Sequence, residues 1–189
     1  MDKIANFRGI GTTEEYFDVL STSGQPTGQI KPRSEVHRDG DWHQAVLIWI
    51  LNSQGELLLQ RRAPDKDSHP NQLDVSCGGH VVAGESVLET AVAEIQEELG
   101  LKIRPEELEF IAYWKDPARG NSTFVNNCFY TMYLLRADYA IHDMTPQSEE
   151  ITELKYVLAT ELKAMVERRD PELVQNMGNR LILHYLGLD

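Results

Sequence analysis

The apolar positions of this chain fall into short runs that predict strands, separated by two or three stretches with helical spacing. Residues 45 to 52, AVLIWILN, form an unbroken apolar run of the kind found in a strand buried on both faces. Gln54-Gly55 then turns the chain, and ELLLQRR follows as its partner strand. Residues 14 to 33 read as a hairpin, with EYFDVL and TGQIKPR joined by a turn at Ser23-Gly24. Further strands are expected at Glu109 to Trp114, Phe124 to Leu135 and, more briefly, Lys155 to Leu158. Helices are expected at Glu161 to Arg168 and, after Pro171, at Glu172 to Leu186. This order predicts an α/β fold.

The clearest helix lies between Ser86 and Gly100. Leu88, Ala91, Val92, Ile95 and Leu99 recur at helical spacing and form one apolar stripe. Ser86 is a good N-cap, and Glu89 three residues later completes a capping box. Gly100 supplies the left-handed residue that ends a helix. Beside the stripe stand Glu94, Glu97 and Glu98, spaced i, i+3 and i+4, so they share a face. Three like charges near the negative end of the helix dipole destabilise one another, and a divalent cation held by oxygen ligands relieves that strain.

The segment GHVVAGESVLETAVAEIQEELGL, residues 79 to 101, resembles the Nudix box, G-x5-E-x7-R-E-U-x-E-E-x-G-U, where U is a bulky aliphatic. Gly79, Glu85, Glu94, Ile95, Glu97, Glu98, Gly100 and Leu101 fill its positions, and Ala93 stands where the pattern has arginine. The resemblance implies a Nudix fold, a mixed β-sheet sandwiched between α-helices. It implies one domain over residues 1–189, with the hairpin at about 14–33 as an N-terminal extension and a C-terminal helix at about 172–186. It also implies metal-dependent hydrolysis of a diphosphate linkage in a nucleoside-diphosphate-like small molecule. Mg²⁺ or Mn²⁺ would be held by Glu94, Glu97, Glu98 and the backbone carbonyl of Gly79. Glu97 and Glu98 are also expected among the catalytic residues. Glu149 and Glu150 sit where the family often takes its general base, and Glu150 is the expected one. Arg61 and Arg62 are candidates for the substrate phosphates, or alternation along the strand sends one to solvent and the other to a protein carboxylate. With alanine at this position, Glu85 and Glu94 lose the charge partner that the family's arginine supplies, which predicts a weakened hydrolase. A non-catalytic module that binds a nucleotide or a partner is the alternative this departure keeps open.

A second resemblance is to the branch that includes type I isopentenyl diphosphate isomerase. It rests on His43 before the core strand, Trp49 and Asn52, the Arg61-Arg62 pair, Lys66 and Pro70, and Gly79-His80. Hydrolase-like members of that branch share the segments at 15 to 41 more closely. Isomerase chemistry needs a cysteine directly before Gly-His, but Gly78 occupies that place and Cys77 is displaced by one. It also needs two glutamates on a later strand, where the expected positions hold Val125 and Asn127. His37, His43 and His80 match the metal-binding histidines of that enzyme. Isomerisation is therefore the alternative activity.

Composition adds limits. The chain has 189 residues, 41% hydrophobic and 25% charged, which suits a single globular domain. Its net charge of −12 argues against nonspecific binding to nucleic acid or acidic membranes, so an anionic substrate needs a bound cation or a local basic patch. The two cysteines, Cys77 and Cys128, have no metal-ligand spacing. No signal peptide or membrane-spanning run is apparent, which leads to the expectation of a cytoplasmic enzyme with no membrane partner. The family resemblance implies a small-molecule diphosphate substrate and no nucleic-acid partner, and it leaves the oligomeric state open, a homodimer being common among such proteins.

Overall fold

A computed structural model describes residues 14–66, 68–118 and 124–188. The expected mixed α/β fold is observed. A hairpin of β1 (Tyr16–Leu20) and β2 (Pro26–Pro32) forms one small sheet, and a seven-stranded sheet forms the other. The path of the larger sheet runs β5 (Leu73–Asp74), β4 (Glu56–Arg62), β3 (His43–Leu51), β8 (Cys128–Arg136) and β7 (Leu108–Asp116). Off that path, β6 (Cys77–His80) pairs with β3, and β9 (Ile151–Leu158) pairs with β4. The helices are α1 (Arg33–Asp39), α2 (Val87–Leu99), α3 (Ala159–Glu167) and α4 (Met177–Tyr185).

The chain groups into two compact units. The first comprises residues up to Val46 with Gly79–Thr90 and Tyr113–Thr131, and the second comprises Leu47–Gly78, Ala91–Ala112 and Met132–Asp189. In the first unit, Phe17, Val19 and Val36 form a buried cluster under the hairpin. The hairpin turns where expected: Ser21 and Gln25 close it by a backbone bond of 2.8 Å, and Gly24 takes the positive φ that the turn requires. Helix α1 begins directly after Pro32, which cannot continue a strand ladder, and stops at Gly40 in the left-handed conformation. That helix is absent from the apolar pattern because it buries only Val36 and His37.

In the second unit the apolar run of β3 and the LLL of β4 supply Ile48, Trp49, Ile50, Leu57, Leu58 and Leu59, all fully buried. Strand β9 runs antiparallel to β4 from Glu56↔Leu158 to Arg62↔Ile151, with a register shift at Arg61/Arg62. It is therefore longer than the Lys155–Leu158 stretch that the sequence suggests. The capping box of α2 forms as expected: Glu89 accepts from the Ser86 amide at 2.8 Å and Ser86 Oγ from the Glu89 amide at 3.2 Å.

Two expectations are corrected. The helix expected from Glu172 starts only at Met177, because Leu73 donates to Glu172 O at 2.6 Å and accepts from Val174 N at 2.8 Å. Those bonds hold residues 172–174 extended against β5, and Asn176 then caps α4 by accepting from the Asn179 amide at 2.9 Å. The strand expected from Phe124 begins only at Cys128. Before it, Val125 N bonds His37 O and Asn127 Nδ2 bonds Gly40 O, so partners in and just after α1, far away in sequence, replace a ladder.

Candidate active site

In the second unit, α2 presents its carboxylates unequally. Glu94 and Glu98, one turn apart, are buried at 9% and 6% exposure, whereas Glu97 is exposed. Two carboxylates buried one turn apart repel one another when both are ionised. Glu98 accepts from the Gly78 amide at 3.3 Å and lies 3.5 Å from Gln60 Nε2. Burial first, then the negative charges of Glu94 and Glu150, push the Glu98 carboxyl well above the ordinary range, while the Gly78 amide and Lys66 pull it back.

Glu150 reaches this neighbourhood because its turn hangs from the end of α2. Thr145 N donates to Leu99 O at 2.9 Å and Gln147 N to Glu98 O at 3.0 Å, satisfying carbonyls that a helix end leaves open. Ala63 N donates to Glu150 O at 2.8 Å, and the Glu150 side chain forms an ion pair with Lys66. Asp65, Lys66, Glu149 and Glu150 line an open polar hollow of about 210 Å³. Cys77 is fully buried in the same unit, and its thiol is pushed well up by burial and by the nearby Glu98 and Glu94 charges, so it stays protonated.

The groups gathered near the end of α2 are carboxylate oxygens, two of them buried. That chemistry fits a hard divalent cation such as Mg²⁺ or Mn²⁺. The arginines are held by protein acceptors. Arg61 meets Glu153 at 2.7 Å, Glu172 at 3.3 Å and Asn71 O at 2.8 Å, and Arg62 meets Ser68 O at 3.0 Å and Asp74 at 3.4 Å. The sequence reading missed Gln60, the Gly78 amide and the pairing of Lys66 with Glu150. Only Lys66 had a visible signal, as the lysine of the Lys-x-x-x-Pro segment.

In the first unit, His37, His43 and His80 face one another with ring centroids 4.9 to 5.2 Å apart. His37 Nδ1 lies 2.9 Å from Arg33 O and His43 Nδ1 3.0 Å from Asp41 O, so each Nδ1 donates to a backbone carbonyl. His80 lies between Arg33 Nη1 on Nδ1 and Asn126 Oδ1 on Nε2, both at 3.3 Å, which one neutral Nε2–H tautomer satisfies together. Burial lowers the His43 pKa to about 4, and burial with His43 and Arg33 lowers that of His80 well below its ordinary value. Phe17 stacks on His43 and His80, and Phe124 stacks on His37 at 4.2 Å.

This geometry corrects the register of the isomerase comparison. Phe124 and Asn126 face the histidines, while Val125 and Asn127 face Gly40. Neither of the two inward residues is acidic, and among the described residues no carboxylate joins the three histidines. Elsewhere in this unit, Glu85 of the box accepts from the Thr90 hydroxyl at 2.9 Å.

The NUDIX domain family matches residues 41–177, and the chain belongs to that family. It is 42% identical over 165 residues to Nudix hydrolase 3 of Arabidopsis thaliana, covering 85% of this chain and 21% of that protein. The chain thus spans about a fifth of that relative's length. It is 31% identical over 145 residues to an isopentenyl-diphosphate Delta-isomerase of Dinoroseobacter shibae, covering 75% and 80% respectively. Among solved structures, DR0079 of Deinococcus radiodurans aligns with a TM-score of 0.70 at 23% identity, covering 90% of this chain and 98% of that one, and shares the fold.

Proposed function

We propose that this Nudix protein hydrolyses a diphosphate linkage in a nucleoside-diphosphate-like small molecule, with Mg²⁺ or Mn²⁺, as a cytoplasmic enzyme. The observation that carries this reading is the burial of Glu94 and Glu98 side by side within reach of the Glu150 charge. Glu94, Glu97 and Glu98 would hold the cation. When bound, the cation screens the phosphate charges and lowers the pKa of a bound water. The Gly78 amide and Gln60 orient Glu98, as partners one step out from a metal ligand do. Glu150, at the rim of a polar hollow, is positioned to take a proton from the attacking water. Arg61 and Arg62, held by Glu153, Glu172 and Asp74, are assigned to bracing β4 and its neighbours before any substrate contact.

A phosphate-release screen over diphosphate compounds with Mg²⁺ and Mn²⁺, run beside an isopentenyl diphosphate isomerisation assay, tests the reading. Isomerisation without release would favour the second activity, to which the three histidines and the Dinoroseobacter relative point. Against it stand Phe124 and Asn126 at the histidines and the buried, protonated Cys77. Metal binding without turnover of any diphosphate would favour a non-catalytic module.

A further inference from the structure

The hollow beside Glu98 is lined by three carboxylates, Asp65, Glu149 and Glu150, and by one ammonium, Lys66. Lys66 is ion-paired with Glu150, and the two side chains are 24% and 30% exposed. Their backbones are fixed near each other, since Ala63 N donates to Glu150 O at 2.8 Å and Lys66 N to Ala63 O at 3.4 Å. Lys66 also acts on Glu98 from the opposite sense to Glu150 and Glu94. The ammonium therefore sits where it neutralises the carboxylate site as a whole. The pair is part-buried but still in touch with solvent, and lysine is a compact charge on a flexible stem. A divalent cation placed among Glu94, Glu97 and Glu98 would act on Glu150 with twice the charge of the ammonium and would repel Lys66.

We propose that Lys66 is a resident counter-cation of the carboxylate site, and that metal loading breaks its pair with Glu150. Glu150 is then released to accept a proton, and the freed ammonium is available to the anionic substrate. This inference rests on the hydrolase reading, because it takes the carboxylates to be a divalent-metal site. It concerns an exchange of partners, for which Lys66 is a positioning residue.

The test is a double-mutant cycle on the full chain with Lys66→Met, Glu150→Gln and their combination. Melting temperature is measured in EDTA and in saturating Mn²⁺. In EDTA the two substitutions are expected to be non-additive, the second changing the melting temperature by less than half of what it does alone. In Mn²⁺ they are expected to add. Lys66→Met is also expected to tighten Mn²⁺ binding by about two- to fivefold, the range a partly exposed ion pair implies, while Lys66→Arg leaves it near wild type. Coupling that persists undiminished in Mn²⁺ overturns the proposal and leaves the metal site standing, as does an absence of coupling in EDTA. If Mn²⁺ fails to raise the wild-type melting temperature or to bind, the metal reading itself falls and takes this proposal with it.

Discussion

Thr90 donates its hydroxyl proton to the Glu85 carboxylate at 2.9 Å, in a chain whose box carries Ala93 where the pattern has arginine. A neutral donor orients a carboxylate less firmly than a guanidinium does. Ala93→Arg is therefore expected to raise kcat/KM for diphosphate hydrolysis, by up to about 1–3 kcal/mol of transition-state stabilisation. A fall in activity together with a stability loss of about 1–3 kcal/mol would instead show that the half-buried site has been rebuilt around alanine.

Metal dependence has a stability signature. Mg²⁺ or Mn²⁺ is expected to raise the melting temperature, and Glu97→Gln combined with Glu98→Gln to abolish that rise. In EDTA the same double variant should melt no lower than wild type at neutral pH, since the folded Glu98 carboxyl is pushed up and its ionised form is a burden there. A metal-induced shift that survives the double substitution would move the site elsewhere, with His37, His43 and His80 as the first place to look.

The histidine group sets an acid limit. His43 is depressed from 6.5 to about 4 in the folded chain, so between those values the unfolded chain binds the extra proton. Stability is thus complete above pH 6.5 and falls as the pH drops towards 4, by up to about 3 kcal/mol from this residue. His43→Asn should flatten that slope between pH 6.5 and 4 in denaturant titrations. An equally steep slope in the variant would assign the acid sensitivity to other groups.

Cys77 is buried and protonated, which leaves it no part in hydrolysis. Cys77→Ser is expected to keep diphosphate hydrolysis within a few-fold, at a stability cost of about 1–3 kcal/mol for burying a hydroxyl. Collapse of activity in a folded variant, followed by circular dichroism, would point to a thiol mechanism.

What could be read from the sequence was mostly local. The capping box at Ser86 and Glu89 and the stop at Gly100 depend on residues three or four apart, and both form. The unequal burial of Glu94, Glu97 and Glu98 follows from the helical period once the apolar stripe is placed. The misreadings came from distant partners. Residues 172–174 have helical composition, yet the backbone of Leu73, about a hundred positions earlier, draws them out. Alternation at Phe124 to Asn127 was read one step out of register, because that segment follows His37 and Gly40 rather than a strand ladder. Gln60 and the Gly78 amide carry no motif at all, since their role appears only when β4 and β6 bring them to α2.

Because Thr145 and Gln147 hang from the last carbonyls of α2, the spacing from Thr145 to Glu150 is measured from the helix and not from the strand before it. Upstream of Thr145 the chain is tied as well, since Asp138 accepts from the Ser53 amide at 2.7 Å and Tyr139 O from the Tyr156 hydroxyl at 3.0 Å, so the approach to Glu150 is fixed from both sides. A single deletion between Thr145 and Glu150 would swing that carboxylate away from Glu98. The distance between Glu150 and Glu98 is thus set by a five-step tether that runs from the helix end itself.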